Sequence, residues 1–292
     1  MSLLMSSPPK VWLAPAKINL FLHINSKRED GYHNLQTLFQ LLDYYDELQF
    51  SITNNGIISR TSGNDDIAPE SDLIIRAAKL LQNITHTQLG CNISIVKRIP
   101  SGGGLGGGSS DAATTLVALN YIWNTGLNQQ ELMELGLKLG ADVPIFIYAQ
   151  SAWAEGVGEI LSPIKTPNNH FLVVFVNEHI ATSKIFSHKA LTMSPMIGKI
   201  SDLSELENTH NDCLQAAIEQ TEEIRFALDH LNRCSNISGK ARMSGTGSCV
   251  FAEFSNQNDA MVALEKMPKK WMSFTAKAID TSPIFKWAVA KR

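Results

Sequence analysis

The sequence lacks the features of a disulfide-stabilised or zinc-binding protein. It contains four cysteines, none of which forms a C-x-x-C pair, and no histidine lies beside them at zinc-finger spacing. The cysteines therefore indicate incidental thiols in a reducing compartment rather than a disulfide framework or a metal centre.

The sequence also lacks an excess of positive charge and long apolar runs. The 25 Lys and Arg residues are balanced by 28 Asp and Glu, so no basic excess exists to attract nucleic acid. No apolar run approaches the roughly 20 residues that cross a bilayer, and residues 1–10 show no leader pattern. We expect a cytoplasmic protein, a monomer or weak homodimer, that binds neither nucleic acid nor membrane.

What is present indicates a globular chain of mixed structure. Hydrophobic residues make up 44% of the 292 positions, which is enough for a core of one large or two ordinary domains. Strand and helix patterns occur without strict alternation, which favours an α+β fold. We place a domain boundary near residue 155, which gives domains at 1–155 and 156–292.

Local patterns predict several elements of the first half. Residues 12–24 alternate as a strand that has Lys17 on one of its two faces. Residues 57–60 follow a turn and are expected to pair back as a hairpin. Ser71 and Asn128 are the expected N-caps of two helices.

A glycine-rich loop lies between a predicted strand, 91–99, and a predicted helix, 111–123. Glycine leaves the backbone open to a ligand, and successive N–H groups next to a helix N-terminus can converge on an anion. The pattern predicts a phosphate-binding loop, whereas a flexible linker would not be expected between a strand and a helix. Its candidate binding residues are Pro100, Gly102, Gly103, Gly104, Leu105, Gly106, Gly107, Gly108, Ser109 and Ser110.

The flanks of this loop exclude several classes of nucleotide-binding protein. It matches the dinucleotide fingerprint formally, but no acidic residue follows at the required distance near residues 124–128. No Gly-Lys-Ser/Thr follows it, as a P-loop requires, and the protein-kinase signatures His-Arg-Asp and Asp-Phe-Gly are absent. The remaining pattern has a proline before the glycines and Ser-Ser-Asp-Ala-Ala after them.

Three segments together resemble the GHMP kinase superfamily (galacto-, homoserine, mevalonate and phosphomevalonate kinases). They are residues 14–20, the loop region 100–113, and residues 243–251. The resemblance implies ATP as co-substrate and a two-domain GHMP kinase fold. An S5-like N-terminal domain and a ferredoxin-like C-terminal domain would flank the active cleft.

Three further segments, 15–22, 28–37 and 139–144, resemble one branch of that superfamily. This branch transfers the ATP γ-phosphoryl group to the C2 hydroxyl of a cytidylylated methylerythritol, in a route to isoprenoid precursors. The expected partners are therefore ATP and a small-molecule acceptor. A kinase of the mevalonate or homoserine type, or a nucleotide-binding protein without catalysis, remains an alternative.

The resemblance also implies roles for individual residues. Lys17 and Asp142 would be the catalytic pair, with Asp142 as the base. By pattern alone Asp142 could instead be only a helix cap, and Lys17 an exposed strand lysine. The residues expected to bind the acceptor are Asn19, Tyr32, His33 and Phe186.

Adenine is expected near Lys97 and the segment that begins at Asp72. Members of the superfamily commonly have asparagine where Asp72 stands, and an ionised aspartate cannot donate a hydrogen bond, so Asp72 could serve only the first turn of its helix. Mg²⁺ is expected from the general chemistry of ATP. Its ligands are not readable from the sequence, although Ser109 and Ser110 are candidates.

Overall fold

A computed structural model describes residue 8 and residues 10–63, 67–200 and 203–290. Most of the segment 1–10, in which the sequence shows no leader, lies outside these residues. The strands are β1 (Trp12–Lys27), β2 (His33–Thr53), β3 (Ile58–Ser62), β4 (Gly90–Val96), β5 (Ala152–Glu155), β6 (Ile160–Pro163), β7 (His170–Phe175), β8 (Arg242–Met243), β9 (Cys249–Phe254) and β10 (Met272–Ile279). The helices are α1 (Leu73–Thr85), α2 (Gly107–Ile122), α3 (Gln129–Leu137), α4 (Val143–Tyr148), α5 (Thr182–Phe186), α6 (Leu214–Gln220), α7 (Glu223–Asn232), α8 (Gln257–Glu265) and α9 (Phe285–Ala288), with a 3₁₀ helix at Leu203–Asn208. Within the described ranges, no helix combines the length and apolar character needed to cross a bilayer.

The long antiparallel pair of β1 and β2 organises the first half of the chain. The pairing runs from Trp12 opposite Leu48 to Lys27 opposite His33, with three irregularities along β1. The predicted strand at 12–24 is confirmed. Both of its faces are buried because other elements cover the sheet on each side, so Lys17 does not face open solvent.

The predicted hairpin after β2 is wrong. β3 does not pair back on β2 but runs parallel to β4, with Ile58 opposite Cys91. The edge of β2 is already taken by β4, so the chain continues to the far side of β4. Gly90 permits this close approach, since a Cβ there would lie 2.3 Å from the Ile57 carbonyl oxygen.

Helix α1 begins one residue later than Ser71 predicts. The N-cap is Asp72, whose carboxylate accepts a hydrogen bond from the Ile74 N–H at 2.9 Å. Aspartate caps as well as serine does, and here it also pairs with Arg60. The predicted cap of α3 is confirmed: Asn128 forms a capping box.

Strand β10 joins the two halves of the sheet. It pairs with β7 from Met272 to Lys277 and with β2 through Ala278 and Ile279. The resulting strand order is β3-β4-β2-β10-β7-β9-β8, with β1 and the β5–β6 hairpin attached to β2. A hydrophobic cluster contributed by both halves fills the junction, where the rings of Tyr44 and Phe274 stack at 3.8 Å.

Elements of the two halves of the chain cross the predicted boundary at residue 155. β6 pairs with β5 across residue 155. The last helix, α9, returns to the first half, where Trp287 packs against Trp12 at 5.5 Å and against Tyr121 at 4.4 Å. The division at residue 155 stays a prediction.

Candidate active site

The glycine-rich loop runs directly into helix α2, which begins earlier than predicted. The helix starts at Gly107 rather than at residue 111, with Gly106 as N-cap at φ 73°. The low helix propensity of glycine hid this first turn. Glycine is required there, because a Cβ on Gly106 would lie 2.7 Å from the Phe146 ring.

This early start leaves backbone donors facing the cleft. The Ser110 N–H is the first to bond within the helix, to the Gly106 carbonyl at 2.8 Å, so the N–H groups of Gly107, Gly108 and Ser109 have no partner inside the helix. Gly102 also has a positive φ, 71°. The loop is therefore suited to bind an anion through its backbone.

The C-terminal glycine segment holds the loop in place. The Cys249 N–H donates to the Gly103 carbonyl at 3.0 Å, and the Ser244 hydroxyl donates to the Gly104 carbonyl at 2.9 Å. A Cβ on Gly103 would meet the Cys249 sulfur at 2.5 Å. Two of the sequence segments that resemble GHMP kinases are thus in direct contact.

Lys17 and Asp142 meet beside this loop. The Lys17 Nζ lies 3.3 Å from Asp142 Oδ2, and the Lys17 backbone N–H donates to the Leu105 carbonyl at 3.0 Å. Asp142 occupies the N-cap position of α4, but its side chain makes no capping hydrogen bond. The carboxylate is therefore free to act in the cleft, with 38% of the side chain exposed, whereas the Lys17 side chain is only 3% exposed.

Asn19 lies behind Lys17 rather than in the cleft. Its Oδ1 accepts from Lys17 Nζ at 2.6 Å, and its Nδ2 donates to the Thr37 hydroxyl at 2.9 Å. Both polar groups of the buried amide are thus used within the protein. Its geometry orients Lys17, and a direct contact with an acceptor stays a prediction.

Three of the residues expected to bind the acceptor, Tyr32, His33 and Phe186, line the same cleft. Phe186 stacks on His33 with ring centroids 5.2 Å apart and planes at 24°. Tyr32 is exposed at the rim. Burial, and then the charge of Lys27, lower the pKa of His33, which favours a neutral imidazole with one donor and one acceptor.

Lys97 is engaged under the loop by two carboxylates. Its Nζ binds Asp46 and lies 2.7 Å from Asp111 Oδ2. Burial lowers the pKa of Lys97, but the two carboxylates outweigh this effect and raise it. Burial raises the pKa of Asp111 to about 8. Lys97 does not line the cleft, so its predicted adenine contact has no direct support.

The cleft has a volume of about 850 Å³ and takes residues from both halves of the chain. Asn19, Lys97, Leu105 and Ser110 do not line it. The predicted site residues that do are Lys17, Tyr32, His33, Pro100, Gly102, Gly103, Gly104, Gly106, Gly107, Gly108, Ser109, Asp142 and Phe186.

Sequence reasoning missed residues that the second half brings to the loop. The His179 ring lies against Gly102, with Nδ1 1.7 Å from where a Cβ would be. Thr246 and Thr182 both line the cleft, and their hydroxyl oxygens lie 3.2 Å apart, within hydrogen-bond distance. His179 follows a strand without any motif, so no sequence signal marks it.

Comparisons with known proteins agree with this geometry. The model of the GHMP kinases N-terminal domain matches residues 72–150, and the model of the GHMP kinases C-terminal region matches residues 195–272. A 4-diphosphocytidyl-2-C-methyl-D-erythritol kinase of Ruthia magnifica subsp. Calyptogena magnifica is 69% identical over 281 residues, which cover 96% of this chain and 99% of that protein. The corresponding enzyme of Alkalilimnicola ehrlichii is 48% identical over 94% of this chain and 92% of its own length.

Solved structures agree as well. A crystal structure of 4-(cytidine 5'-diphospho)-2C-methyl-D-erythritol kinase superimposes with a TM-score of 0.80 at 30% identity, covering 92% of this chain and 98% of that one. A mevalonate kinase structure, 18% identical, gives a TM-score of 0.69 over 92% of this chain and 99% of its own, and so shares the fold. The predicted mixed α and β GHMP kinase fold is confirmed, and the chain belongs to the GHMP kinase family.

Proposed function

We propose that this chain transfers the γ-phosphoryl group of ATP to the C2 hydroxyl of 4-diphosphocytidyl-2-C-methyl-D-erythritol, giving the 2-phosphate and ADP. The observation that carries the proposal is the Lys17–Asp142 pair, 3.3 Å apart, beside the glycine loop. A protein that only bound nucleotide would have no use for a carboxylate paired with a buried ammonium at that place. The near full-length relatives that carry this acceptor in their names support the choice of acceptor.

The glycine loop would hold the ATP phosphates on its backbone. The N–H groups of Gly107, Gly108 and Ser109 stand at the positive end of helix α2 and lack partners within it. Hydrogen bonds from a rigid backbone need no reorganisation when charge develops on the transferred group. The loop is fixed by Ser244 and Cys249, so this positioning is built in before ATP binds.

Asp142 would accept the proton of the acceptor hydroxyl as that oxygen attacks the γ-phosphorus. Phosphoryl transfer depends mainly on positioning and charge neutralisation, and a base orients the attacking group. The ammonium of Lys17 lies between the Asn19 amide oxygen and Asp142. It is therefore placed to neutralise the negative charge that develops on the transferring group.

His33, Tyr32 and Phe186 would recognise the cytosine. A neutral imidazole can donate to and accept from the base edge, and aromatic rings can stack on its face. His33 is held by its stacking on Phe186, while Tyr32 is exposed and free to reorient. A mevalonate or homoserine substrate would make no use of these groups.

Mg²⁺ would enter with ATP and neutralise charge on the β- and γ-phosphates. In the described ranges, no group of three His, Cys, Asp or Glu side chains could hold a metal. The available donors are oxygens: Ser109 lines the cleft, and the buried Ser110 hydroxyl has no hydrogen-bond partner among the described residues. This set fits Mg²⁺, which is commonly bound by few protein ligands, substrate phosphates and water.

A coupled assay of ADP release tests the acceptor. Release that depends on the cytidylylated methylerythritol, and not on mevalonate or homoserine, is the expected result. Release that depends on mevalonate or homoserine would assign the chain to another kinase type of the same family. Nucleotide binding without acceptor-dependent release would indicate a binding protein.

A further inference from the structure

Behind the Lys17–Asp142 pair, a buried chain of hydrogen bonds ends on Thr37. The Thr37 hydroxyl donates to the Phe21 carbonyl and lies 2.9 Å from Asn19 Nδ2. Asn19 Oδ1 in turn lies 2.6 Å from Lys17 Nζ. Thr37 is fully buried and does not line the cleft, so it cannot reach a substrate itself.

The two ends of this series of hydrogen bonds allow only one direction of donation along it. A carbonyl oxygen such as that of Phe21 only accepts, and the ammonium of Lys17 only donates. The Thr37 hydroxyl must therefore give its hydrogen to Phe21 and accept from Asn19. The Asn19 amide then has its NH₂ towards Thr37 and its oxygen towards Lys17.

The backbone of β1 places the first acceptor of this chain. An irregularity lies between Asn19 and Leu22, where β1 has one residue more than β2 between the paired positions. Such a bulge locally interrupts the ladder of backbone hydrogen bonds. The Phe21 carbonyl lies in this stretch and accepts from the Thr37 side chain.

We propose that Thr37 is a positioning residue for phosphoryl transfer: its hydroxyl fixes the orientation of the Asn19 amide, and Asn19 thereby holds the Lys17 ammonium against Asp142. The inference rests on the proposed function. Without the hydroxyl, the Asn19 NH₂ loses its acceptor, so the amide is no longer anchored from behind and its oxygen is held less firmly against the Lys17 ammonium. The same role explains why threonine suits the site, since its branched side chain is restricted at χ1.

The test is a double-mutant cycle of T37V and N19A, with T37S as the conservative variant. T37V should lower kcat about 10- to 100-fold, with the KM values for ATP and acceptor nearly unchanged, because the hydrogen bond that positions a charged group is weakened. T37S should restore kcat to within about threefold of wild type because it keeps the hydroxyl. In the N19A background, T37V should change kcat by less than about twofold, since residues that act through one another are not additive.

Thr115 provides a matched control. It is equally buried, and within the described part of the chain its hydroxyl bonds back to the Asp111 carbonyl of its own helix at 2.8 Å. T115V removes a hydroxyl that is equally buried, so it should change Tm only slightly and leave kcat within about twofold of wild type. A wild-type kcat in T37V, or an equal loss of kcat with and without Asn19, would overturn the inference.

A second readout does not need turnover. The side-chain NH₂ of Asn19 should show slow hydrogen exchange by NMR in the wild type and fast exchange in T37V. Fast exchange in the wild type would overturn the inference by itself. Absence of acceptor-dependent turnover in the wild type, with a protected Asn19 amide, would instead overturn the proposed function alone.

Discussion

Replacing Asp142 by asparagine removes the proposed base with almost no change in shape. The side chain makes no helix-capping hydrogen bond, so the start of α4 does not depend on it. The lost interaction is an ion pair of 3.3 Å with Lys17, and the Asp142 side chain is 38% exposed. Lys17 keeps the Asn19 oxygen as an acceptor, so the buried ammonium is not left unpartnered.

These contacts predict separate effects on turnover and stability. A positioned general base contributes about 10²- to 10⁴-fold to the rate, so kcat of D142N should fall by that factor. Solvent screens the partly exposed ion pair, whose loss should lower the free energy of unfolding by about 0–1 kcal/mol. Nucleotide affinity should stay close to wild type, because the phosphates are held by the loop backbone.

The assay measures kcat for acceptor-dependent ADP release at saturating substrates, together with Tm with and without ADP. Asp229 on α7 offers a matched control, since it is an exposed carboxylate that does not line the cleft. D229N should leave kcat unchanged. A D142N enzyme with wild-type kcat would refute the role of Asp142 as the base, and a loss of the ADP-induced rise in Tm would show that the carboxylate acts in binding instead.

Three further variants test other parts of the site. In G104A, a Cβ would lie 2.3 Å from a backbone oxygen at φ 78°, whereas in G126A it would meet nothing within 4 Å at φ 79°. Both variants should lose about 1–2 kcal/mol of stability from the positive φ. Denaturant unfolding should show a larger loss for G104A, and G104A should also raise the KM for ATP. Equal losses of stability and an unchanged KM would contradict the close packing of the loop. H33A should raise the acceptor KM about 10- to 100-fold with the ATP KM unchanged, because polar contacts to the cytosine are lost. An unchanged acceptor KM would count against the cytosine pocket. Burial, and then the charge of His210, lower the pKa of His23. The unfolded state therefore binds the His23 proton more tightly, and Tm should fall as the pH drops below about 6.5. H23Q should flatten this pH dependence of Tm, and a profile identical to wild type would exclude His23 as its source.

The glycine loop and its flanks could be read from the sequence because each position has a local cause. Glycine between a strand and a helix, followed by serines, has few uses other than binding an anion through backbone N–H groups. Asn128 was predictable for the same reason, since capping depends on residues only three apart. The first turn of α2 was not, because propensity disfavours glycine in a helix while tertiary packing requires it there.

Long-range features could not be predicted. The pairing of β3 with β4 depends on which strand already occupies the edge of β2, and that is decided by the whole sheet. His179 reaches Gly102 from a loop without a motif, and the carboxylates that engage Lys97 come from separate elements. The meeting of Lys17 with Asp142 was expected only by resemblance, since 125 positions separate the two residues in the sequence and no local pattern joins them.

We propose that the cleft transfers a phosphoryl group to one hydroxyl of the cytidylylated acceptor. Phosphorus NMR of the reaction with ATP and 4-diphosphocytidyl-2-C-methyl-D-erythritol tests it most directly, because it identifies the product rather than the release of ADP. We expect a new phosphomonoester at C2, formed in step with ADP, while the diphosphate bridge to cytidine stays intact. Formation of inorganic phosphate alone, or a phosphate on another hydroxyl, would contradict it.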